Sequence, residues 1–220
     1  NPLIPDLYFT RSEGYHSLKQ RFLHGVPDWS SRSPTAIWRG TTTGKIVSID
    51  NYKENLRIQL VYYCRDYPSL VDAKIMQVRQ LRANDAQMIS AALKADKLLA
   101  EPMRPDEFMN YQYSIDIDGN ANAWGLFEKL ALGLCVLKIE SPWEQWFYPE
   151  MKPWVHYVPI RSDLSDLIPT LRDLQSKPEV GERIAKAAAI FALERDLDSE
   201  AATFCKSIAA ATEGGGVQVV

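Results

Sequence analysis

The segment Arg39-Gly-Thr-Thr-Thr-Gly-Lys45 carries glycines, hydroxyls and a lysine, which are residue types that bind phosphate. A P-loop needs four residues between its glycines and Ser or Thr after the lysine. Here three residues separate the glycines and Ile46 follows the lysine, so we reject a P-loop. Two interpretations remain: a cradle of backbone N–H groups and hydroxyls for a phosphate, or a plain loop after a strand.

A second polar segment, Asp116-Ile-Asp-Gly-Asn120, has the alternating acids of a calcium loop. Such a loop needs Gly at its sixth position and Glu at its twelfth, whereas this chain has Ala121 and Phe127. The better interpretation is a strand–loop–helix junction that turns free N–H groups toward an anion. Asn122 would cap the helix, and small residues such as Ala123 would allow close approach.

The segment 143–159 holds three of the six tryptophans, together with His156. We expect most of these aromatic residues to pack beneath a sheet, and exposed members could stack on a base or a sugar ring. His156 lies between strand-like residues, so a structural role is expected. No Ser/His/Asp or Cys/His grouping has a supporting spacing.

Composition narrows the class of protein. The 220 residues are 46% hydrophobic and 24% charged, as in ordinary globular proteins. With a net charge of −3 and dispersed Lys and Arg, a bulk electrostatic grip on nucleic acid is not expected. No apolar run reaches the roughly 20 residues of a membrane span. Cys64, Cys135 and Cys205 fit no metal spacing, which favours buried thiols in a reducing compartment.

The hydrophobic pattern predicts alternating strands and helices after an irregular, proline-rich start over residues 1–34. Asp85 is the expected N-cap of the helix predicted at 85–99. Strands are predicted at 35–39, 70–77, 111–117, 134–139 and 155–159, and helices at 52–67, 85–99, 105–109, 122–132, 162–174, 179–195 and 199–210.

This alternation is typical of an α/β fold with a parallel, Rossmann-like sheet. Small ligands of such sheets bind beyond the carboxyl ends of the strands, where loops lead into helices. Three junctions of that kind are predicted, at 40–50, 118–122 and 160–165, and all carry small or polar residues. Periodicity alone leaves the ligand unknown.

Five sequence blocks, in order, resemble glycosyltransferase family 90, which includes protein O-glucosyltransferases and capsule-associated glycosyltransferases. Together they cover about residues 35–170, and the strongest is the aromatic block running into Ser162-Asp-Leu-Ser-Asp-Leu. The blocks are Thr35-Ala-Ile-Trp-Arg-Gly-Thr-Thr, Arg57 with Pro68-Ser-Leu-Val-Asp-Ala, Tyr111-Gln-Tyr-Ser-Ile-Asp-Ile-Asp-Gly-Asn, Ala123-Trp-Gly-Leu-Phe-Glu-Lys-Leu with Val136-Leu-Lys, and Trp146-Phe-Tyr-Pro-Glu-Met-Lys-Pro-Trp-Val-His-Tyr-Val-Pro-Ile.

The resemblance implies one half of a two-domain transferase of the GT-B type, in which two Rossmann-like domains face each other across a cleft. The C-terminal domain of this family binds the nucleotide sugar, typically a UDP-sugar, without a metal or other cofactor. The resemblance also implies inversion at the anomeric carbon, with a carboxylate from the N-terminal part as general base. Charge on the leaving diphosphate must then be stabilised by arginines and helix N-termini.

Carried over by position, Thr41 matches a small hydroxyl residue of the donor site, and Arg57 matches an arginine that contacts the diphosphate. The loop 119–123 matches the segment beneath that diphosphate, and the 160–165 turn is expected near the nucleoside or sugar. The full set of expected substrate-binding residues is Arg39, Thr41, Arg57, Asp118, Gly119, Asn120, Asn122, Ala123, Ser162, Asp163 and Ser165.

Two positions depart from the protein glucosyltransferases, which place an arginine where this chain has Gly125 and an acid where it has Gln145. The residues around 124–126 are more similar to the bacterial branch. The catalytic Asp of the family lies in a motif that would fall before Asn1, so neither Asp6 nor Asp28 is nominated as the base.

The sequence therefore predicts three parts: a remnant of an N-terminal domain or linker at 1–34, a donor-binding domain at 35–212 and a flexible tail at 213–220. The expected partners are a nucleotide sugar and a glycan, lipid-linked or protein hydroxyl acceptor, such as a polysaccharide or lipopolysaccharide. We expect a cytoplasmic location, with peripheral association with the membrane as the alternative. The alternatives are a non-catalytic binding or scaffolding module of the same fold and an unrelated α/β nucleotide-binding protein.

Overall fold

Five parallel strands form the centre of the fold in the order β2-β1-β3-β4-β5. The structure is a computed structural model that describes residues 3–213. Two inner strands, at Tyr111–Asp116 and Cys135–Ile139, are buried at all but one residue each, as expected where helices cover both faces of a parallel sheet. The strands are β1 (Ser33–Thr41), β2 (Val71–Gln77), β3 (Tyr111–Asp116), β4 (Cys135–Ile139) and β5 (Val158–Ile160).

A sixth segment extends the sheet beyond β2, where Leu99 forms a parallel bridge with Ile75. Ile75 donates to the Leu98 carbonyl at 2.9 Å and its own carbonyl accepts from Ala100 at 3.0 Å. With this segment counted, the strand order is that of a doubly wound Rossmann fold. The order in which successive strands are added to the sheet reverses between β1 and β3, which are parallel neighbours. The crevice beyond these two strand ends is where such folds bind ligands.

Eight helices flank the sheet among the described residues, with four short 3₁₀ turns between them. The helices are α1 (Leu7–Arg11), α2 (His16–Leu23), α3 (Leu56–Cys64), α4 (Ala83–Ala95), α5 (Leu126–Ala131), α6 (Leu167–Ser176), α7 (Pro178–Leu193) and α8 (Leu197–Glu213). The 3₁₀ turns span Trp29–Ser31, Tyr52–Glu54, Pro105–Asn110 and Tyr148–Glu150.

Alternate residues of the strands supply two hydrophobic cores, one on each face of the sheet. In β4, Cys135 and Leu137 face the core formed with α3, α4 and α6, while Val136 faces the core formed with α1 and α5. Helix α7 contributes to both cores, since Ile184 lies in the first and Phe191 in the second. The buried strands and helices position the loops at the carboxyl edge.

The expectation of an irregular start is wrong for residues 7–23, which form α1 and α2. Asp6 caps α1 by accepting from the Phe9 N–H at 2.8 Å. Phe9 is fully buried, and its ring lies 5.4 Å from that of Phe127 in α5. Two short helices separated by turn residues gave no periodic signal, because each is shorter than the pattern that identifies a helix.

Several helix starts differ from those predicted. The helix predicted at 52–67 divides at Asn55, whose extended backbone ends a 3₁₀ turn and whose side chain caps α3. Helix α4 begins at Ala83, so Asp85 lies in its first turn and is not its N-cap. It ends at Ala95, because Lys97 takes a positive φ of 57° and the chain then pairs with β2.

The strand predicted at 155–159 is also shifted. The chain turns at Trp154, whose N–H donates to the Tyr157 carbonyl at 2.7 Å, so His156 precedes β5 and lies in that turn. The predicted flexible tail falls on residues 213–220, of which only Glu213 lies within the described part of the chain.

Candidate donor site

The candidate site lies at the carboxyl ends of β1 and β3, where the strand order reverses. Two loops meet there: one follows β1 through Gly44, and the other follows β3 through Asn120. The Asn120 side-chain oxygen accepts from the Gly44 N–H at 2.9 Å, which ties the loops together. The backbone of Gly44 has a φ of 130°, a conformation that glycine adopts readily.

Asn55 anchors the first loop to α3 and was missed by sequence reasoning. Its buried side-chain oxygen accepts from the N–H groups of Arg57 and Ile58 at 3.1 and 3.2 Å. Its amide nitrogen donates to the carbonyls of Thr42 and Lys45 at 2.9 and 3.1 Å. An asparagine directly before an apolar helical run is a recognisable N-cap signal, but its contacts with the loop are not predictable from spacing.

Arg57 projects from the first turn of α3 and joins the ends of the two strands. Its guanidinium donates to Thr43 Oγ1 at 2.6 Å, to the Ile117 carbonyl at 2.9 Å, to the Asp118 carbonyl at 3.2 Å and to the Thr41 carbonyl at 3.3 Å. A guanidinium has five N–H groups, so these four contacts leave one N–H without a partner among residues 3–213.

Burial lowers the pKa of Arg57, because a charge is less stable away from water, while the carboxylates of Asp116 and Asp118 oppose this effect. The group remains a cation at neutral pH, as arginine does throughout proteins. Arg57 therefore presents a fixed positive charge to the crevice.

Gly119 allows the second loop to approach this arginine. A Cβ at Gly119 would lie 2.7 Å from Thr43 Oγ1 and 3.1 Å from the Arg57 guanidinium carbon. These distances are shorter than van der Waals contact, so only glycine fits here without displacing a neighbour.

Asp118 fixes the second loop, which follows β3, by accepting hydrogen bonds. Its carboxylate accepts hydrogen bonds from the Ala123 N–H and the Ser141 hydroxyl, and Lys138 Nζ lies 3.7 Å away. The expected capping role of Asn122 is wrong, since α5 begins at Leu126 with Gly125 at its N-cap. The chain turns through 119–125 because Asp118 captures the Ala123 N–H before the helix starts.

Two adjoining cavities open at this crevice and share Arg57, Ala123 and Trp124. The first, termed the polar cavity, has a volume of about 300 Å³ and is lined by Thr41, Thr43, Arg57 and residues 119–124. The second, termed the groove, has a volume of about 250 Å³ and includes Arg39, Met76, Met103, Phe108 and Glu128 in its lining. The polar cavity therefore gathers the predicted residues Thr41, Arg57, Gly119, Asn120, Asn122 and Ala123.

Arg39 contributes to the wall of the groove but is engaged by its own sheet. Its guanidinium donates to the Asp72 carboxylate, to the Asp72 carbonyl at 2.8 Å and to the Trp38 carbonyl at 2.9 Å. Its side chain is 9% exposed. Arg39 thus joins β1 to β2 and offers the groove a largely compensated charge.

Glu128 is a second residue that sequence reasoning missed. It projects from α5 into the groove, where burial raises the pKa of its carboxyl group; Lys129 opposes that shift and Asp6 adds to it. The sequence signal is an acid beside Lys129 in a mostly apolar helix, and it does not identify the cavity that the acid faces.

The structure does not bring Ser162, Asp163 and Ser165 into either cavity. All three are exposed in a turn after β5, where the Asp163 carboxylate accepts from the Ser165 N–H at 3.0 Å. Since β5 lies two strands from β3, the separation is about 10 Å at the usual strand spacing. The predicted helix at 162–174 starts later, at Leu167, because this turn occupies its first residues.

A buried group of charges supports the floor of the site. Asp116 is fully buried at the end of β3, 2.8 Å from Lys129 Nζ and 3.8 Å from Lys138 Nζ. Lys129 also donates to the Ile115 carbonyl at 2.9 Å. These two lysines are compensated by acids, whereas Arg57, which lines the polar cavity, keeps one N–H without a partner among the described residues.

Within residues 3–213, no group of three or more His, Cys, Asp or Glu side chains is arranged to hold a metal ion. In the same range, no helix is long and apolar enough to cross a lipid bilayer.

Comparison with known proteins gives a consistent assignment. A family model described as glycosyl transferase family 90 matches residues 16–203. Protein O-glucosyltransferase 3 of Rattus norvegicus is 32% identical over 180 residues, which cover 81% of this chain and 31% of that protein. The uncharacterized protein 179R of Invertebrate iridescent virus 6 is 31% identical over 182 residues, which cover 74% of this chain and 15% of that protein. The chain thus spans less than a third of the length of these relatives.

Solved structures share the fold. HepE of Anabaena, solved in complex with UDP-glucose, has a TM-score of 0.55 at 11% identity, covering 90% of this chain and 52% of that one. Sucrose-phosphate synthase of Thermosynechococcus elongatus has a TM-score of 0.52 at 11% identity, covering 90% and 49%. The Rossmann-like α/β fold expected from the sequence is confirmed.

Proposed function

Because the chain belongs to glycosyltransferase family 90, we propose that it binds the nucleotide-sugar donor of a glycosyl transfer reaction, with a UDP-sugar as the donor. The observation that carries this proposal is the unpartnered N–H of Arg57 beside the loop 119–123, whose residues are small or polar, at the point where the strand order reverses. A buried cation and small residues suit a diphosphate, which needs charge and close approach.

The two cavities suggest how the donor lies. The diphosphate occupies the polar cavity, where Thr41, Thr43 and Asn122 supply polar atoms beside Arg57. The nucleoside extends into the groove, whose apolar residues Met103 and Phe108 suit a base and whose Glu128 is an acceptor for hydroxyl groups.

The reaction we propose is an inverting, metal-independent transfer that needs no further cofactor. The oxygen of an acceptor hydroxyl attacks the anomeric carbon while the bond from that carbon to the diphosphate oxygen breaks. The hydroxyl proton passes to a general base, for which we propose a carboxylate of the N-terminal part of the two-domain enzyme. Arg57 and backbone N–H groups stabilise the charge that develops on the leaving diphosphate.

We propose a glycan, lipid-linked or protein hydroxyl as the acceptor, with polysaccharide or lipopolysaccharide synthesis in the cytoplasm as the setting. The similarity to the bacterial branch around residues 124–126 supports this choice.

A second candidate is a binding or scaffolding module of the same fold without transfer activity. It is favoured by Gly125, which stands where the protein glucosyltransferases have an arginine. The nearest neighbour of a Cβ placed at Gly125 would be Lys129 Cε at 3.9 Å, and the Lys129 amine is already paired with Asp116. Turnover of a UDP-sugar would contradict this alternative.

The direct test is calorimetric titration of the 220-residue chain with UDP, with GDP as the comparison ligand. We expect saturable UDP binding that weakens by about 1.5–3 kcal/mol in Arg57→Ala, the range for a hydrogen bond to a charged group. Arg183→Ala, a change on the exposed face of α7, is the matched control and should bind UDP as the original chain does.

Thermal unfolding of each variant must accompany the titration, since Arg57 also holds two loops. Arg57→Lys keeps the charge without the forked geometry and should recover part of the affinity. A folded original chain that does not bind UDP would contradict the donor-site proposal.

A further inference from the structure

A third cavity, termed the aromatic cavity, lies at the same edge of the sheet beyond the ends of β4 and β5. It has a volume of about 450 Å³ and is bounded by the segment 140–149. The residues that carry the argument are Lys138, Glu140, Trp143, Glu144, Tyr148 and Tyr157. None of them belongs to the polar cavity or the groove.

Aromatic side chains provide the apolar part of this cavity. Trp143 is 46% exposed, and its backbone N–H donates to the Ser141 hydroxyl at 3.1 Å, which fixes the chain at this point. Tyr148 and Tyr157 complete the wall. A ligand with an apolar face could stack on these rings while its polar edge stays hydrated.

Two carboxylates provide acceptors without partners. The side chains of Glu140 and Glu144 are exposed, and no ion pair or side-chain hydrogen bond engages either of them within residues 3–213. The Tyr148 hydroxyl is buried without a hydrogen-bond partner. Carboxylates only accept hydrogen bonds at neutral pH, so the ligand that satisfies them must bring donors.

The charge of the cavity excludes a phosphate. Its one cation, Lys138, lies 3.8 Å from Asp116 and 3.7 Å from Asp118, with its amine 4.7 Å from the centre of the Tyr148 ring. That charge is compensated, and Glu140 and Glu144 would repel an anion. A neutral ligand with several hydroxyl groups and apolar faces fits these properties, and a sugar ring has both.

The aromatic cavity shares a wall with the polar cavity. Asp118 accepts from Ala123, which lines the polar cavity, and from Ser141, which lines the aromatic cavity. Gln145 adds a second link, since its buried amide donates to the Ala123 carbonyl at 3.4 Å. The two cavities therefore lie on either side of Asp118.

We infer that the aromatic cavity binds a neutral hexose ring, with Trp143 stacking on its face and Glu140 and Glu144 accepting from its hydroxyls. This hexose belongs either to the donor or to the acceptor. Its assignment to one of the two rests on the function proposed above, whereas the binding of a hexose does not.

The test compares UDP, UDP-glucose, UDP-galactose and free maltotriose by calorimetry, with saturation-transfer difference NMR for weak sugar binding. The variants are Trp143→Ala and Glu144→Gln in the full 220-residue chain. Trp154→Ala is the matched control for the first, since Trp154 is 48% exposed and lies outside the cavity lining. Glu101→Gln, at an exposed position remote from the cavity lining, is the control for the second.

If the hexose belongs to the donor, we expect the cavity variants to bind UDP as the original chain does and to bind one UDP-hexose about tenfold more weakly. If the hexose belongs to the acceptor, we expect the cavity variants to bind UDP-hexoses as the original chain does and to lose the maltotriose signal. Either result supports a hexose site, provided that the control variants behave as the original chain.

The inference is overturned if the original chain and the cavity variants give the same affinities for every sugar-bearing ligand. Failure of the proposed function has a different signature: the folded original chain then binds no UDP at all. In that case the maltotriose experiment still decides whether the cavity binds sugar.

Discussion

The guanidinium of Arg57 fills the space that a side chain at Gly119 would occupy. A Cβ built on Gly119 lies 3.1 Å from both the Cζ and an Nη atom of Arg57. The backbone of Gly119 is not in the left-handed region, so its need for glycine is one of space and not of conformation. The arginine of α3 and the glycine of the loop after β3 are therefore packed as a pair.

Gly119→Ala should displace Arg57 and Thr43 and lower the free energy of unfolding by about 1–3 kcal/mol, the usual cost of overpacking. UDP affinity should fall by about tenfold, because Arg57 loses its position. Urea denaturation and calorimetry measure the two effects. Gly125→Ala is the control for overpacking: the nearest neighbour of its Cβ is Lys129 Cε at 3.9 Å, so no steric cost applies there.

Asn55→Ala should lower the free energy of unfolding by about 2–3 kcal/mol, because it removes a helix cap and two tethers to the loop after β1. Asn51→Ala removes contacts confined to Ser48 and serves as the comparison in the same urea titration. Equal losses of unfolding free energy in the two variants would show that the buried hydrogen bonds of Asn55 to the loop add nothing to stability.

Asp116→Asn should destabilise the chain by about 3 kcal/mol, because Lys129 and Lys138 then lose the carboxylate that compensates them below the site. Asp173→Asn breaks the exposed pair with Lys177 and should cost less than about 1 kcal/mol. Chemical denaturation of both variants at pH 7 checks the contrast, and similar values would contradict it.

His156 gives stability a pH dependence. Burial lowers the pKa of the imidazole below its usual 6.5, and the charges of Arg195 and Lys152 lower it further. Its Nδ1 accepts from the Lys152 N–H at 3.2 Å, a bond that protonation would break. The unfolded chain therefore binds the proton more readily than the folded chain, so this contribution is complete above pH 6.5 and is lost as pH falls below it.

We expect the free energy of unfolding of the original chain to decrease more between pH 7.5 and pH 5 than that of His156→Gln. Urea titrations across this range test the expectation. Parallel pH profiles for the two proteins would contradict it.

The sheet and the family were predictable from the sequence because both leave local patterns. Apolar runs such as Leu134–Ile139 report burial directly, and the sequence blocks from Thr35 to Ser165 identified the family that the family model confirms. The expected site residues have not been tested by ligand binding and stay predictions, although most of them line one cavity.

Element boundaries were less predictable because tertiary contacts set them. Helix α5 starts four residues later than predicted, since Asp118 engages the Ala123 N–H and delays the helix. The turn after β5 resembled a capping sequence, yet it holds Ser162 away from the crevice because β5 is the outer strand. Neither effect can be read from periodicity, which describes one element at a time.

Both edges of the sheet end in very short pairings. On one side Leu99 contributes a single bridge, and on the other β5 has only three residues, of which Pro159 has no N–H group. Long exposed edge strands present rows of unpaired donors and acceptors that recruit strands from other chains. The short edges of this fold leave few such groups, so they act against strand-mediated aggregation.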